Sequence, residues 1–574
     1  MHGERPTESP AGWAVSPVAA TAGANAPGSP GSLVAVSVLL LVAGLLFFSR
    51  LGCPLLEPDE ARYAEIPRQM LAEGRLLVPV LHGAPYYHKP PLLYWLVMGS
   101  YGLFGVADWS ARLVPCSCAL LVVLVSYLWG RRTVGPRAAF AGALMLALSA
   151  RFVYLGRMLS MDSLLCLWVV TALASAHVAV GGRRLRWGWW LLSAAACGLG
   201  LLTKGPVALV LAAGPVLALQ ALDRRTARPR LGAWVVYLAV AAGVACPWYV
   251  AVAVADPAFA HDFFWTHNVR RYVAPLDHEK PFWFYLPDLS LGMLPWTLLL
   301  YPLWKSLGRG AAGAARPPAV GFFLLACGWC LVFYSASGCK RAGYILPAMP
   351  PLALALGWGL DAGLAEAALV RQQARLARLA VGLVVAVALG GSILAAWLGM
   401  ERPAGAAAVA AAAAVGLWCL RRHSPGPVGS WVLCAAVTFA VLLTAVQQIL
   451  PGYARKFSLR KQVRPQLRVS ADQRRPVICY PHRWDSVSFY LRRNDVRVYT
   501  PAQRSDLMAL LRAQPDTLVF VKSDDATSRH LSDFLKDLPG CLEFVPRSRA
   551  GIVTAGLVRR RSSATAGGLA RRLP

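Results

Sequence analysis

Residues 33–48 read LVAVSVLLLVAGLLFF, and a short distance downstream residues 57–66 read EPDEARYAEI. The first stretch carries no charge and approaches the length that crosses the hydrocarbon core of a bilayer. No small-residue cleavage site follows it, so we interpret it as a retained first span rather than a signal peptide. The second stretch is dense in ionisable side chains. Together they predict a chain that crosses a membrane and then presents chemical groups at its surface.

Composition extends this interpretation to the whole chain, because 57% of the 574 residues are hydrophobic and only 15% are charged. These values exclude a string of soluble domains. Further apolar runs of spanning length bring the expected total to about thirteen transmembrane helices. We therefore predict a polytopic α-helical membrane protein with a small C-terminal α/β domain. The later runs begin near Leu113, Ala138, Ser163, Gly188, Pro206, Ala233, Phe284, Ala319, Tyr344, Leu379, Ala404 and Ser430.

The charge balance is strongly basic, with 58 Lys and Arg against 28 Asp and Glu and a net charge of +30. The basic residues lie in short connections and in the C-terminal tail, without a nucleic-acid motif, so we expect lipid headgroups rather than nucleic acid as their partners. The positive-inside rule places the Arg-rich connections in the cytoplasm, provided that the ambiguous stretch 92–107 does not cross. Residues 51–91, residues 256–283 and the C-terminal domain then lie outside.

Four regions follow from composition. Residues 1–32, rich in Ala, Gly, Pro and Ser, predict a disordered leader. Residues 33–450 form the membrane domain, and residues 451–558 alternate short apolar strands with amphipathic helices, which is typical of an α/β domain. Residues 559–574 predict a basic disordered tail. The predicted strands are 477–480, 496–499, 517–521 and 542–545, and the predicted helices are 486–492, 504–512 and 528–537.

The first outer loop offers candidate catalytic and binding groups. Asp59 closely follows the first span, and Arg62 shares its face if this stretch is helical. Lys89 follows His88 and precedes two prolines that impose an extended backbone, where an ammonium can pair with a phosphate. A solvated Asp and Arg pair and an ordinary interfacial lysine are the structural alternatives.

Later outer loops add groups that can converge on an anion. Asp162 opens a span and has Arg157 nearby as a possible ion-pair partner, and Lys204 occupies a very short hairpin. Aromatic residues surround the other cations, as in a headgroup-level belt or a sugar-phosphate pocket. The remaining candidates are Arg270, Arg271, Lys340 and Tyr344.

Five motifs resemble those of the bacterial aminoarabinose transferases that modify lipid A, which belong with the protein O-mannosyltransferases in the GT-C superfamily. The resemblance covers about residues 33–365, with every motif in the family order. It implies a thirteen-span enzyme with an outer α/β domain and a sugar donor linked to polyprenyl phosphate. The motifs are PDEARYAEI (58–66), KPPLLYW (89–95), TKGP (203–206), PFWFYLP (281–287) and YILPAMPP (344–351).

The resemblance also implies roles for individual residues. Asp59 is similar to the family's first-loop carboxylate, and Asp162 to its second acid. The groups that resemble the family's contacts to the lipid phosphate are Arg62, Lys89, Lys204, Arg271 and Tyr344. Displacement at the anomeric carbon would invert its configuration, and the acceptor is a lipid A-like glycolipid, a glycan or a protein.

The chain departs from the family at two positions that resemble metal ligands there. His88 stands where the family usually has Glu, and Asn268 stands where it has His. Histidines can rebuild such a site, since imidazole ligates zinc readily, and we name His88 and His278 as candidate zinc ligands, with His267 nearby. The departures leave the donor sugar and the metal open.

Three functions compete at this point. A polyprenyl-phosphate-dependent glycosyltransferase of the bacterial inner membrane, with its site facing the periplasm, agrees with the outer-loop chemistry. A transporter or flippase would place ionisable residues near the bilayer midplane and show pseudo-symmetric halves. A non-catalytic scaffold would not need acids and cations in so many outer loops.

Overall fold

The computed structural model describes residues 30–273, 278–308, 316–397, 426–472, 474–525, 529–548 and 552–561, with isolated positions between 408 and 415. In these ranges a bundle of apolar helices is followed by a five-stranded sheet. The prediction of a polytopic helical membrane protein with a small C-terminal α/β domain is confirmed. Most of the predicted leader and of the predicted basic tail lies outside the described residues.

Eight described helices are long and apolar enough to cross a membrane, and a ninth crossing results if the pair Pro136–Ala147 and Ala150–Arg157, bent by 61°, is one span. The count of about thirteen stays a prediction, because Leu92–Phe104 and Val207–Leu222 are shorter apolar helices and residues 398–425 are described only at isolated positions. The other helices of the bundle are Pro30–Phe48, Asp108–Thr133, Asp162–Val180, Trp187–Lys204, Leu231–Ala255, Pro318–Ala336, Met349–Ala365, Ala367–Trp397 and Pro427–Thr444.

Local sequence explains where several helices begin and end. Proline occupies the first position of the helices that begin at Pro136, Pro318 and Pro427, where its missing N–H costs nothing. The helix Asp59–Glu73 ends at Gly74, which has φ of 65°, a left-handed conformation that suits glycine.

The outer segments carry short elements between the spans. The helix Asp59–Glu73, called the first-loop helix below, is followed by a hairpin of β1 (Val80–Leu81) and β2 (Ala84–Pro85). The second outer segment contains a π-helix, His261–Arg270, flanked by the short helices Ala258–Ala260 and Arg271–Val273. Other short helices are Phe282–Phe284, Tyr285–Gly292, Trp296–Leu299, Leu300–Gly308, Ala342–Ala348, Ala445–Ile449, Leu450–Phe457, Arg460–Val463, Arg464–Gln466 and Leu467–Ser470.

The C-terminal sheet has the strand order β4-β3-β5-β7-β6. Strands β4, β3 and β5 are parallel, and β7 runs antiparallel to β5 and β6. The strands are β3 (Val477–Tyr480), β4 (Arg497–Val498), β5 (Thr517–Lys522), β6 (Leu542–Ser548) and β7 (Val553–Arg560), and the helices are Asp485–Leu491, Pro501–Gln503, Arg504–Ala513 and His530–Asp537.

Strand β7 is the main difference from the expected C-terminal domain. It was not among the predicted strands, and it carries the sheet past residue 558, where the basic tail was expected to begin. Arg559 pairs with Glu543 and Arg560 with Leu542 in the antiparallel ladder. The two arginines extend the strand because that ladder supplies their backbone with hydrogen-bond partners.

The sheet shares its core with the helical bundle. Phe520, Leu518 and Val553 belong to the same buried cluster as bundle residues such as Tyr101 and Val97. The alternate side chains of the strands, such as Ile478, Val519 and Val521, form a separate cluster with Leu507 and Phe534 on the other face. The C-terminal domain is therefore packed onto the bundle and the first-loop helix, which places it close to the candidate site.

Candidate active site

A polar cavity of about 610 Å³ gathers side chains from outer segments that are far apart in the chain. Both predicted acids, Asp59 and Asp162, line it. Most of the predicted cations do so as well, together with both predicted metal ligands. The predicted residues on its walls are Asp59, Arg62, His88, Lys89, Asp162, Lys204, Arg271, His278 and Tyr344.

Asp162 and Lys204 form one wall of this polar cavity. Asp162 is the first residue of the helix Asp162–Val180, and Lys204 is the last residue of Trp187–Lys204. Lys204 Nζ donates to Asp162 Oδ1 at 2.6 Å and lies 4.1 Å from the ring centre of Tyr344. Gly205, with φ of 83°, makes the turn that ends the lysine's helix here. The lone hairpin lysine therefore pairs with the second acid.

Asp59 lies across the cavity, as the first residue of the first-loop helix. Its carboxylate accepts a hydrogen bond from the Arg341 guanidinium. Arg341 directly precedes the short helix Ala342–Ala348, whose Gly343 is so close to Asp162 that an added Cβ would collide with the carboxylate. The segment around Arg341 and Gly343 thus lies against both acids.

Positive charge dominates the cavity walls, with Arg62, Lys89, Lys204, Arg271 and Arg341 all present. Burial, followed by the nearby charges of Lys204 and Arg271, lowers the pKa of Lys89 to about 7. Each cation raises the free energy of holding its neighbours in their charged forms, and an anion bound among them lowers that free energy. The cavity is therefore built to receive a negative group.

An apolar groove of about 380 Å³ continues from the polar cavity. Lys89, Lys204, Arg271 and Tyr344 line both spaces. Beyond these shared residues the groove is lined by Val207, Val210, Phe264, Val273 and Phe333, among others. The pair of spaces fits a ligand with a charged head and an apolar chain.

His88, Asp262 and His267 form a possible metal-binding group at the edge of the cavity. One ligand atom from each lies within 4.8 Å of the others, and the two imidazole rings are 3.9 Å apart between centres. His267 Nε2 lies 3.6 Å from Asp262 Oδ2. Of the two predicted ligands, His88 belongs to this group. His278 lines the cavity but is not part of this group of three, so its role as a metal ligand stays a prediction.

Two predicted binding residues do not line the cavity. Arg270 lies on neither the cavity nor the groove, and Lys340 turns its ammonium to the carbonyl of Ser337. Arg157 also differs from expectation. It donates to the carbonyls of Phe47 and Ser49 instead of pairing with Asp162.

Sequence reasoning missed Arg341 and Asp262 as site residues. Arg341 directly follows Lys340 in the chain, and only one of two neighbouring side chains can point into a cavity from an extended backbone. Asp262 stands five positions before His267, and a π-helix brings such residues to one face. An ordinary helical spacing would not have paired them.

Comparison with known proteins agrees with the fold. The crystal structure of ArnT from Cupriavidus metallidurans bound to undecaprenyl phosphate superposes with a TM-score of 0.75, covering 91% of this chain and 97% of that chain at 23% identity. The apo structure of the same protein gives a TM-score of 0.71. The likeness shows that the two chains share one fold, that of a multi-pass helical membrane protein.

Sequence relatives identify the family to which the chain belongs. A family model described as dolichyl-phosphate-mannose-protein mannosyltransferase matches residues 32–263. The undecaprenyl phosphate-alpha-4-amino-4-deoxy-L-arabinose arabinosyl transferase of Erwinia tasmaniensis is 33% identical over 64% of this chain and 68% of its own length. The chain belongs to this family of arabinosyl transferases. A relative from Sodalis glossinidius is 41% identical over 53% of this chain and 55% of its own length. The chain spans little more than half the length of the first curated relatives that it matches.

Proposed function

We propose that this protein is a glycosyltransferase that moves a sugar from a polyprenyl-phosphate-linked donor to an extracytoplasmic acceptor. One observation carries the proposal: Lys89, Lys204 and Arg271 line both the polar cavity, which contains the two acids, and the adjoining apolar groove. A polyprenyl phosphate has the matching shape, with an anionic head between sugar and hydrocarbon. The names of the family relatives, which specify an undecaprenyl phosphate-linked aminoarabinose, support the same class of donor.

The proposed reaction is a single displacement at the anomeric carbon. An acceptor oxygen forms a bond to that carbon as the bond from the carbon to the phosphate oxygen breaks, and the electron pair leaves with the polyprenyl phosphate. Lys89, Lys204 and Arg271 stabilise the charge that gathers on the departing phosphate, which is the largest contribution expected in such a site. The anomeric configuration inverts.

Asp59 and Asp162 have different proposed roles. If the acceptor is a hydroxyl, Asp59 accepts its proton as general base. A phosphate acceptor is already ionised and needs no base. Asp162 is paired with Lys204, so its role is to hold that ammonium beside the Tyr344 ring and the donor phosphate.

The orientation and acceptor follow from the same reasoning. The positive-inside rule predicts that the segments forming the site lie opposite to the Arg-rich connections, which supports assigning the site to the periplasmic side of the bacterial inner membrane. Acceptors available there include lipid A-like glycolipids, glycans and proteins. The aminoarabinose named for the relatives makes lipid A modification the first activity to test.

We also propose a zinc site at His88, Asp262 and His267. Two imidazoles and a carboxylate are ligands that zinc accepts, and three protein ligands leave a fourth position for water or substrate. A bound ion would add positive charge beside the cavity. Elemental analysis of purified protein tests this: zinc should be retained by the unmodified chain and by His278→Ala, and lost in His267→Ala. Equal zinc in all three would disprove the site.

The transferase proposal is tested with purified protein in lipid nanodiscs, a labelled polyprenyl-phosphate sugar and an added acceptor, with lipid A tested first. We expect release of polyprenyl phosphate and a labelled product with the unmodified chain. With a hydroxyl acceptor, Asp59→Asn should lower transfer by about 10²–10⁴-fold, the usual contribution of a general base. The matched control is Asp506→Asn, at an exposed position of the C-terminal domain. Transfer to a hydroxyl that is retained by Asp59→Asn would remove Asp59 as the general base, and binding of the donor without transfer by the unmodified chain would favour a flippase.

A further inference from the structure

The C-terminal domain contacts the candidate site through one short helix, Asp485–Leu491, called the docking helix below. It packs against the first-loop helix, and every one of its residues is buried. Its first residue, Asp485, has a side chain that is only 9% exposed and lies between two partners from the first outer loop, Arg62 and His82. Arg62 Nε donates to Asp485 Oδ2 at 3.2 Å, and His82 Nε2 lies 2.6 Å from Asp485 Oδ1.

The hydrogen bond from Arg62 to Asp485 occupies one side of the guanidinium, and Tyr86 on the cavity wall is a second hydrogen-bond partner of this arginine. The bond to Asp485 uses Nε, on the side of the guanidinium, and not the two terminal nitrogens. The Arg62 side chain remains 32% exposed and lines the polar cavity, one helical turn after Asp59. An Arg held through one edge in this way is pre-oriented to present its other donors to a phosphate.

The second partner of Asp485 sits in an unusual backbone conformation. His82 and Gly83 make the turn between β1 and β2, and both have positive φ, 57° and 79°. Residues other than glycine are uncommon in this conformation, although Asn, Asp and His adopt it more often than others, and surrounding contacts must offset its free-energy cost. Two contacts do so: the His82 backbone N–H donates to Gln69 of the first-loop helix at 2.7 Å, and its ring meets Asp485. The hairpin is therefore shaped to present His82 to the docking helix.

Further hydrogen bonds fix the docking helix against the segment that leads into Asp59. The Ser486 N–H donates to Glu57 Oε1 at 2.7 Å, two residues before Asp59. The Tyr490 hydroxyl donates to Asp108 Oδ1 at 2.5 Å and accepts from the Leu55 N–H at 2.9 Å. The position of Asp485 relative to Asp59 is thus set by several contacts on both sides, which makes it a stable support for Arg62.

We propose that Asp485 is a positioning residue, by which the C-terminal domain orients Arg62 toward the phosphate of the lipid-linked donor. The inference rests on the proposed function and deepens it, because it gives the C-terminal domain a part in donor binding. The same contact has an opposite reading, in which Asp485 holds Arg62 away from the donor. The two readings differ in sign: removing the carboxylate weakens phosphate binding in the first and strengthens it in the second.

The test measures binding of polyprenyl phosphate to the full chain in nanodiscs by a double-mutant cycle. Asp485→Asn should weaken binding by about 10-fold, the effect of one lost charge-assisted contact, whereas Asp506→Asn should not. In an Arg62→Gln background, Asp485→Asn should add less than 2-fold, because Asp485 acts only through Arg62. A purely structural loss would instead lower binding by the same factor in both backgrounds and would overturn the proposal, as would tighter binding.

A second variant keeps the proposal testable if Asp485→Asn does not fold. His82→Asn tolerates the positive φ and removes the imidazole from Asp485, and we expect a smaller loss of binding with an unchanged unfolding temperature. Unchanged binding in both Asp485→Asn and His82→Asn overturns the positioning role while leaving the proposed function intact. If the unmodified chain does not bind polyprenyl phosphate at all, the proposed function fails and this inference fails with it.

Discussion

Lys89 shows at the scale of one residue how the cavity prepares for an anion. Its ammonium lies near Lys204 and Arg271, and these charges together with burial lower its pKa. Repulsion between these like charges is unfavourable when no anion is bound. A bound phosphate offsets this repulsion, and its binding is strengthened by the same amount. The groups that are costly without ligand are the ones expected to matter most for binding.

Replacing Lys89 tests this directly. Lys89→Gln should weaken binding of polyprenyl phosphate by about 10–100-fold, since a hydrogen bond to a charged group contributes about 1.5–3 kcal/mol. Lys280→Gln is the matched control, because Lys280 is exposed and does not line the cavity. Binding is measured by titration in nanodiscs. Equal affinities for the two variants would contradict the role of Lys89.

Gly343 gives a second prediction at this scale. A methyl group at Gly343 would collide with the Asp162 carboxylate and push it from Lys204. Gly343→Ala should therefore lower the transfer rate by at least about 10-fold while the protein still folds, as misplacement near a reacting centre does. Gly328→Ala, with open space at the added Cβ, is the control. A Gly343→Ala variant as active as the control would show that Asp162 tolerates displacement.

The cavity residues differ in how well sequence could predict them. Asp59, Lys89 and Lys204 were predicted because each is an ionisable side chain at the outer end of an apolar run, where its presence needs a reason. Arg341 was not, because its partner Asp59 is far away in the chain and its neighbour Lys340 carries the same charge. Which of two adjacent cations faces inward depends on the path of the backbone.

At the scale of elements, Glu57 links the first outer loop to the docking helix. Its carboxylate accepts from the Ser486 N–H, and burial raises its pKa to about 7. The folded protein thus favours the neutral form. The stability that this provides is complete below the ordinary pKa near 4.5 and is lost as the pH rises through about 7.

Glu57→Gln should therefore change how stability depends on pH. The glutamine keeps an oxygen for Ser486 but cannot ionise, so the variant should gain on the order of 1–3 kcal/mol over the unmodified chain at pH 8, and little at pH 5. Thermal unfolding at both values measures this, with Glu543→Gln on strand β6 as the control. A variant that loses stability equally at both pH values would show that Glu57 is not neutralised by the fold.

Elements of the C-terminal domain can be predicted from sequence where apolar residues form a short continuous run bounded by polar residues. Strands β3 and β5 stand out as short apolar runs between polar stretches. Strand β7 does not, because it contains a central Gly556 and ends in arginines, and only its place between β5 and β6 makes it a strand. The burial of the docking helix was also hidden, since Asp485, Ser486 and Ser488 resemble the polar face of an exposed helix.

For the whole molecule, the main prediction concerns which side of the membrane each connection occupies. The helix Leu231–Ala255 is long enough to cross, and it separates a connection rich in arginine from the outer segment that carries Asp262 and Arg271. A reporter enzyme that works only outside the cytoplasm should be silent when fused after Arg225 and active when fused after Pro281. The reverse result would place the acids and cations of the cavity in the cytoplasm and contradict the proposed orientation.

The shared wall between the polar cavity and the apolar groove has one more consequence. If the proposed function holds, the sugar donor and the released polyprenyl phosphate both carry a phosphate and a hydrocarbon chain, so they compete for the same binding site at Lys89, Lys204 and Tyr344. Each cycle must end with the used lipid diffusing away before a fresh one arrives. The rate of transfer would then depend on the ratio of sugar-linked to sugar-free polyprenyl phosphate in the surrounding bilayer. Removal and reuse of the sugar-free lipid would therefore limit how fast the acceptor is modified.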